Sequence, residues 1–397
     1  MELSRDLVEH ILHTLPVKSL VRFKSVSPQW KSIIESRYFK QKHLLCRESQ
    51  DPDILIINPI EFDEISKREK EENVTRMFTL GSIDVIKLPN LCPLRKPIYL
   101  ERNKTLLYYP ISISGSCDGM ICYFNHYNLI NVVNPITRWS RSVPQARFQV
   151  DVLDMRNRDS WKGEKYISLW NLGFGKDKFT GTYKLVWLYN SYELGLENAT
   201  TCEVFDFSTN KWRYVIAAPV RILELQKPVY LDGSLHWFTD EDIAETRVLA
   251  FDIQTEKFHI ISKTPFVQQV SKKIIMCNLN NRLCVSQKEW PMQEIWSLIN
   301  SDMTWEKIYT LNLETAANWF AKDLTFGFIP EIIPCVIPIA ILGKKKSLML
   351  YDAVASNPNL VIYDPELRSY DLCFVRDYRV HHQGTAVSCF SSLMSIE

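Results

Sequence analysis

The 397-residue sequence has almost no net charge: 47 Lys and Arg stand against 46 Asp and Glu, a formal balance of +1. That leaves no global field to draw in nucleic acid or an anionic membrane, and neither is expected as a partner. Glycine is scarce, at 12 residues, which excludes collagen-like and low-complexity chains. Ten cysteines occur without one C-x-x-C pair. A zinc site needs such close-spaced pairs, so no metal is expected. Most cysteines sit in apolar runs such as Met120-Ile121-Cys122-Tyr123, where a thiol acts as a small hydrophobe. The opening residues Met1 to Asp6 lack the apolar core of a signal peptide, which points to a reducing compartment, cytoplasm or nucleus. The longest apolar stretch, Ile329–Leu342, carries Pro330, Glu331, Pro334 and Pro338. It is too short and too broken to cross a bilayer.

Catalytic signatures are also missing. There is no Gly-x-Ser-x-Gly elbow and no phosphate-binding glycine loop; Gly173-Phe174-Gly175-Lys176 lacks the third glycine and any βαβ context. His381-His382 has no carboxylate at ligand spacing, and His236, between Leu235 and Trp237, reads as a strand residue in a packed sheet. No catalytic residue and no cofactor are assigned, and the chain is read as a non-enzyme. Lys344-Lys345-Lys346 reads as a solvated turn.

Two regions stand out against these absences. The first 45 residues carry eight basic side chains against Glu2, Asp6, Glu9 and Glu35. Their apolar spacing is helical: Leu3, Leu7, Val8, Ile11, Leu12 and Leu15 recur at steps of three and four, with Ser4 placed as a cap. Pro16 opens a second helix holding Val17, Leu20, Val21 and Phe23. Ser27-Pro28 repeats the device ahead of Trp30, Ile33 and Ile34. The spacing predicts three short helices. On a helical wheel the apolar positions of the first span about 180°, whereas one small core needs a stripe of roughly 100°. A unit of this size also buries little surface. Surplus apolar surface on such a unit predicts a partner that covers it. A helix-turn-helix DNA reader would concentrate Arg, Lys, Asn or Gln at the start of one helix, and Pro28-Gln29-Trp30-Lys31 is a poor match.

The run Leu7-Val8-x-x-Ile11-Leu12-x-x-Leu15-Pro16-Val17-Lys18-Ser19-Leu20-Val21-Arg22-Phe23-Lys24-Ser25-Val26-Ser27-x-x-Trp30-x-x-x-Ile34 resembles the F-box of plant F-box proteins over about residues 2–42. Two departures are visible: Ser4 follows Leu3 where the family usually has Leu-Pro, and Pro28 stands where it often has lysine. The resemblance implies docking to a Skp-type adaptor, and through it to the cullin and RING subunits of an SCF-type ubiquitin ligase. By position, Leu3, Leu7, Ile11, Leu12, Leu15, Pro16, Leu20, Phe23, Val26 and Trp30 supply the contact surface and the small core beneath it.

From about residue 50 onward the chain repeats. Asp118-Gly119 and Asp232-Gly233 each feed a short apolar strand, with Asn280-Asn281 and Gly343-Lys344 as looser copies. A second signal closes a strand with Asp or Asn, sets Ser or Thr in the turn, and opens the next strand on an aromatic. It occurs at Asn134…Trp139, Asp206…Trp212, Asp252…Phe258, Asn300…Trp305 and Asp364…Tyr370. The Asp or Asn side chain accepts from turn N–H groups. These positions advance by 72, 46, 48 and 64 residues, and a base period of 46–48 suits four-stranded propeller blades. Asp53–Ile57 with Arg76–Leu80 reads as an earlier, fainter unit, and Ala386–Phe390 as a last strand that pairs with an early blade and closes the ring. Six blades are expected, with five or seven open. The region resembles the plant F-box-associated domain, with kelch-like blades but without doubled kelch glycines. The expected architecture is a small all-α F-box at 1–45 followed by a large all-β, propeller-like domain at 50–397. The resemblance implies that this domain binds the protein to be ubiquitinated. The other reading is a propeller enzyme or scaffold whose N-terminal helices only pack on their own domain.

Overall fold

The computed structural model describes residues 4–63, 76–86, 112–125, 129–157, 171–191, 199–224, 226–240, 246–266, 274–299, 303–315, 336–351, 360–374 and 385–396. Four helices open the chain: α1 (Arg5–His13), α2 (Val17–Phe23), α3 (Pro28–Glu35) and α4 (Arg37–Glu48). Three of their starts carry a serine cap, and α2 begins after Pro16 without a side-chain cap. Ser4 Oγ accepts from Leu7 N at 3.4 Å, Ser27 Oγ from Trp30 N at 3.1 Å, and Ser36 Oγ from Phe39 N at 3.2 Å. Pro28 occupies the first turn of α3, where its missing N–H costs nothing. The fourth helix was not read from the sequence and runs through residue 45, where the first domain boundary was placed.

The rest is β. Two long strands, β1 (Asp53–Asp63) and β2 (Arg76–Ile86), are followed by a first blade of β3 (Ser112–Cys117), β4 (Met120–Phe124), β5 (Ile130–Asn134) and β6 (Trp139–Ser142). A helix, α5 (Arg147–Asn157), precedes the second blade, made of β7 (Leu172–Lys176), β8 (Tyr183–Asn190), β9 (Thr200–Asp206) and β10 (Lys211–Val215). Blade three holds β11 (Val229–Leu231), β12 (Ser234–Phe238), β13 (Arg247–Asp252) and β14 (Lys257–Lys263). Blade four holds β15 (Ile274–Leu279), β16 (Arg282–Glu289), β17 (Met292–Ile299) and β18 (Thr304–Asn312). Blade five holds β19 (Ile337–Leu342), β20 (Ser347–Tyr351), β21 (Leu360–Asp364) and β22 (Ser369–Phe374), and β23 (Thr385–Cys389) ends the set.

The described residues thus form a five-blade propeller of four-stranded antiparallel sheets. A three-stranded sheet in the order β2-β1-β23 stands between the fifth and first blades, in the place the repeat count gave to a sixth. It joins the two ends of the chain, pairing Asp53 with Cys389 through to Ile57 with Thr385, and leaves the ring without an open seam. The first strand of each blade touches the first strand of the next, so these strands surround the axis.

Both turn signals act as side-chain chemistry requires. Asp118-Gly119, Asp232-Gly233 and Asn280-Asn281 all have positive φ, the geometry of a two-residue hairpin. In the second turn, Asn134 Oδ1 accepts from Ile136 N and Thr137 N, Asp206 Oδ1 from Ser208 N, Asp252 Oδ1 from Thr255 N, and Asp364 Oδ1 from Glu366 N and Leu367 N. The copy at Asn300 lies outside the described residues, as do His381-His382.

Gly173 and Gly175 have a packing role in place of a loop role. A Cβ on Gly175 would come within 2.5 Å of Ile253 and of the Tyr230 ring, and one on Gly173 within 2.7 Å of Leu235. Blade three therefore presses directly on the backbone of β7. Gly175→Ala is expected to destabilise the protein by about 1–3 kcal/mol through overpacking, seen as a lower midpoint in chemical denaturation.

After β23 the chain continues as a strap, Phe390 to Ile396, across the end of the ring that carries the Asp118-Gly119 turn. Ser391, Ser392, Leu393, Met394 and Ile396 are buried. Ser392 Oγ donates to Asp118 O at 2.5 Å, and Gly119 leaves room for it: a Cβ there would strike Phe390 O and Ser392 Oγ. Fully buried Asn134 donates from Nδ2 to Ser392 O at 3.0 Å and to Met394 O at 2.9 Å. This is a reason for amide at Asn134 where Asp206, Asp252 and Asp364 hold carboxylates: only an amide serves turn and strap together. Asn134→Asp keeps an acceptor for the turn but leaves two buried carbonyls unpaired, at an expected cost of about 3 kcal/mol. Hydrogen exchange should rise over residues 390–396 while blades three and four keep their protection.

Candidate docking surface

The helices have two apolar faces with different fates. Val8 and Leu12 of α1, Val17 and Leu20 of α2, and Ile33 and Ile34 of α3 are buried with Phe39 of α4. They share one cluster with Leu55 and Ile57 of β1, Ile113, Ile121 and Val133 of the first blade, and Leu393 of the strap. Arg37 donates to Thr180 O at 3.2 Å in the β7–β8 turn, and Asp51 accepts from Gly343 N at 2.8 Å in the β19–β20 turn. The helical unit is therefore seated on one end of the ring, with the strap between.

The second face remains uncovered. Leu7 is 47% exposed and Ile11 38% exposed, four residues apart and so on one side of α1, while Val26 in the turn between α2 and α3 is 57% exposed. Pro16 is exposed too, and Leu15, Phe23 and Trp30 are half-buried. The Phe23 and Trp30 rings meet edge to face at 5.4 Å. Of the ten residues named from the sequence, Leu12 and Leu20 belong to the core, seven reach the surface wholly or in part, and Leu3 lies outside the described residues. The 180° apolar arc of α1 thus divides into a sealed half and an open half. Sequence reasoning missed Tyr38 and Leu45, which are exposed on α4 seven residues apart; their spacing was a signal, but they stand in a helix that was not expected.

Two histidines hold the unit together from within. His43 is buried and its Nε2 donates to Leu15 O at 2.9 Å, fixing α4 to the α1–α2 turn. His13 packs on the Phe39 ring at 4.6 Å and lies near Glu9. Burial lowers the pKa of both, helped at His13 by the charge of Lys42 and at His43 by that of Arg47.

Elsewhere, Cys117, Cys122, Cys202, Cys277, Cys284 and Cys389 are free and buried, and burial pushes the Cys284 thiol up to about 11 and that of Cys389 to about 12. Such thiols are inert. His236 is buried in β12, with Nδ1 3.1 Å from Val229 O. Among the described residues no group of three or more His, Cys, Asp or Glu is placed to hold a metal ion, and no helix is long and apolar enough to cross a membrane.

The lowered histidine values set a pH dependence. Unfolded histidine titrates near 6.5, so below that pH the unfolded chain takes up protons that the folded unit resists. The stability contributed by neutral His13 and His43 is complete above about pH 6.5 and is lost as the pH falls toward their folded values. Helix exchange protection is expected to drop between pH 7 and pH 5.5. His43→Gln, which keeps a donor for Leu15 O, should flatten that drop.

The sequence matches the family model described as the F-box domain over residues 1–42 and the one described as the F-box associated beta propeller domain over residues 70–365. An F-box/LRR-repeat/kelch-repeat protein of Arabidopsis thaliana is 41% identical, over 99% of this chain and 97% of its own length. An F-box protein of the same plant is 38% identical, over 98% of each chain.

Proposed function

This chain belongs to the plant F-box proteins that carry an F-box associated beta propeller domain, and we propose that it is the substrate-recognition subunit of a cullin–RING ubiquitin ligase of the SCF type. In this reading the F-box docks a Skp-type adaptor, the adaptor brings the cullin and RING subunits, and the propeller holds the protein to be ubiquitinated. The chain performs no covalent step; it sets the distance and orientation between a bound protein and the ligase machinery. It works in the cytoplasm, the nucleus or both.

The observation that carries this reading is the open half of α1. Leu7 and Ile11 leave large apolar side chains in water on the side of α1 away from buried Val8 and Leu12, and Val26 does so in the turn between α2 and α3. A surface of this kind is worth keeping where a second protein removes it from water, at roughly 25 cal/mol for each Å² covered. Half-buried Leu15, Phe23 and Trp30 pack against the sealed cluster and keep part of their surface in water.

The rival reading draws on the shared cluster with β1, the first blade and the strap: the helices would then only cap the ring. The two separate on one experiment. Leu7→Asp with Ile11→Asp alters exposed residues, so the thermal midpoint should hold while capture of a Skp-type adaptor falls at least tenfold. Leu367→Asp, an exposed apolar residue in blade five, should bind the adaptor like the parent. Adaptor capture undiminished in the double variant would sink the ligase reading and leave the cap. Leu20→Asp is the wrong probe, because Leu20 is fully buried and a carboxylate there would unfold the unit.

A further inference from the structure

The chain passes from the helical unit to the ring once, through residues 49–52 between α4 and β1. A short connection between two packed bodies is where a hinge forms, because a few φ and ψ angles there swing one body on the other. Here three successive residues are fastened. Asp51 Oδ1 accepts from Gly343 N at 2.8 Å in the fifth blade. Pro52 is buried, and its ring fixes φ. Asp53, 3% exposed at the head of β1, is paired with Cys389 in the closing sheet.

The Asp53 carboxylate is the meeting point. Its Oδ2 accepts from Ser391 Oγ of the strap and lies 3.8 Å from Arg47 Nη2 in the last turn of α4. Arg47 Nη1 also donates to Gln50 Oε1, inside the joint. One buried oxygen is thus shared by the helical unit, the strap and the closing sheet. A buried carboxylate is costly unless its partners stay in place, so the junction resists any rotation that would part them. The apolar sides of the strap agree with it. Leu393 belongs to the cluster that holds Val8, Leu12 and Phe39, whereas Met394 and Ile396 belong to the one that holds Leu44 and residues of the first two blades.

We propose, building on the ligase reading, that Asp53, Arg47 and Ser391 are positioning residues: they lock the joint between F-box and propeller and so set the angle at which a bound protein is presented to the ligase. None of the three belongs to the open face of α1, so the joint can be loosened while the docking surface stays intact. A chain that performs no covalent step contributes orientation. In this molecule that orientation is decided where α4 passes into β1, through two carboxylates that reach the fifth blade and the strap.

The test uses the full chain with spin labels carried by ketone-bearing amino acids in place of Gln29 and Leu367, both exposed, one in α3 and one in the β21–β22 turn. Pulsed double electron–electron resonance reads the distance between them. The parent should give one narrow distribution. Arg47→Met with Ser391→Ala should widen it at least twofold, while capture of a Skp-type adaptor stays within twofold of the parent. Arg47→Lys, which keeps the charge, should leave the width as it is. An unchanged width in the double variant would overturn the proposal. So would adaptor capture lost in step with the widening, since the helices themselves would then have come apart. The distances need no adaptor, which keeps the two readings separate. A parent that captures no adaptor removes the ligase reading and leaves the locked joint standing, whereas a broad distribution in the parent removes the joint and leaves adaptor capture untouched.

Discussion

The division of α1 into a sealed half and an open half is the constraint on which the molecule depends. A helix of nine residues cannot hide apolar side chains on both sides inside a unit this small. The ring takes one side: Val8 and Leu12 enter a cluster that continues into β1, the first blade and Leu393. Without that seat the unit would have two exposed apolar faces and little core, and would associate nonspecifically. With it, one face is fixed to the propeller and the remaining one has a defined direction. Burial on the ring is thus compatible with docking to a partner, because the two use different sides of the same helix.

The strap makes the seat specific. Hydrophobic contact alone has no preferred angle, so a helical unit resting only on apolar side chains could slide. Directional bonds remove that freedom. Asn134 donates to Ser392 O and Met394 O, Ser392 donates to Asp118 O, and Ser391 donates to the buried carboxylate of Asp53 at the start of β1. These bonds join the first blade, the strap and the closing sheet, and the helices lie over them. A buried polar network that is fully paired specifies one arrangement in this way.

How much was legible in the sequence follows from how local each determinant is. Caps at Ser4 and Ser27, the Asp-Gly hairpins and the Asn or Asp turns act within three residues, and each was visible. The F-box pattern and the blade period were likewise legible because they repeat a local rule. Helix α4 escaped because its Arg37-to-Glu48 sequence is rich in charge, and its buried Phe39, His43 and Leu44 acquire meaning only against α1 and the ring. The strap escaped for a similar reason. Ser-Ser-Leu-Met-Ser-Ile has no period, and its burial comes from residues some 260 positions earlier. The closing sheet was faint because it is assembled from both ends of the chain. Gly173 and Gly175 looked like a weak loop motif, and only the approach of Leu235, Tyr230 and Ile253 shows why glycine stands there.

The end of the ring that carries the helices could not be read from the sequence either. All first strands of the blades run one way, so every turn of the Asp118 kind falls at one end of the axis and every entry into a blade's first strand at the other. The helices occupy the turn end, where the turns hold from two residues, as at Asp118-Gly119, to six between β7 and β8, and the longer ones meet Arg37 and Asp51. The connections between blades vary in length from one blade to the next in the sequence. Variation is tolerated where it does not disturb a platform, and binding diversity accumulates in such connections. A propeller that seats its helices at the turn end can vary these connections without moving the helical unit.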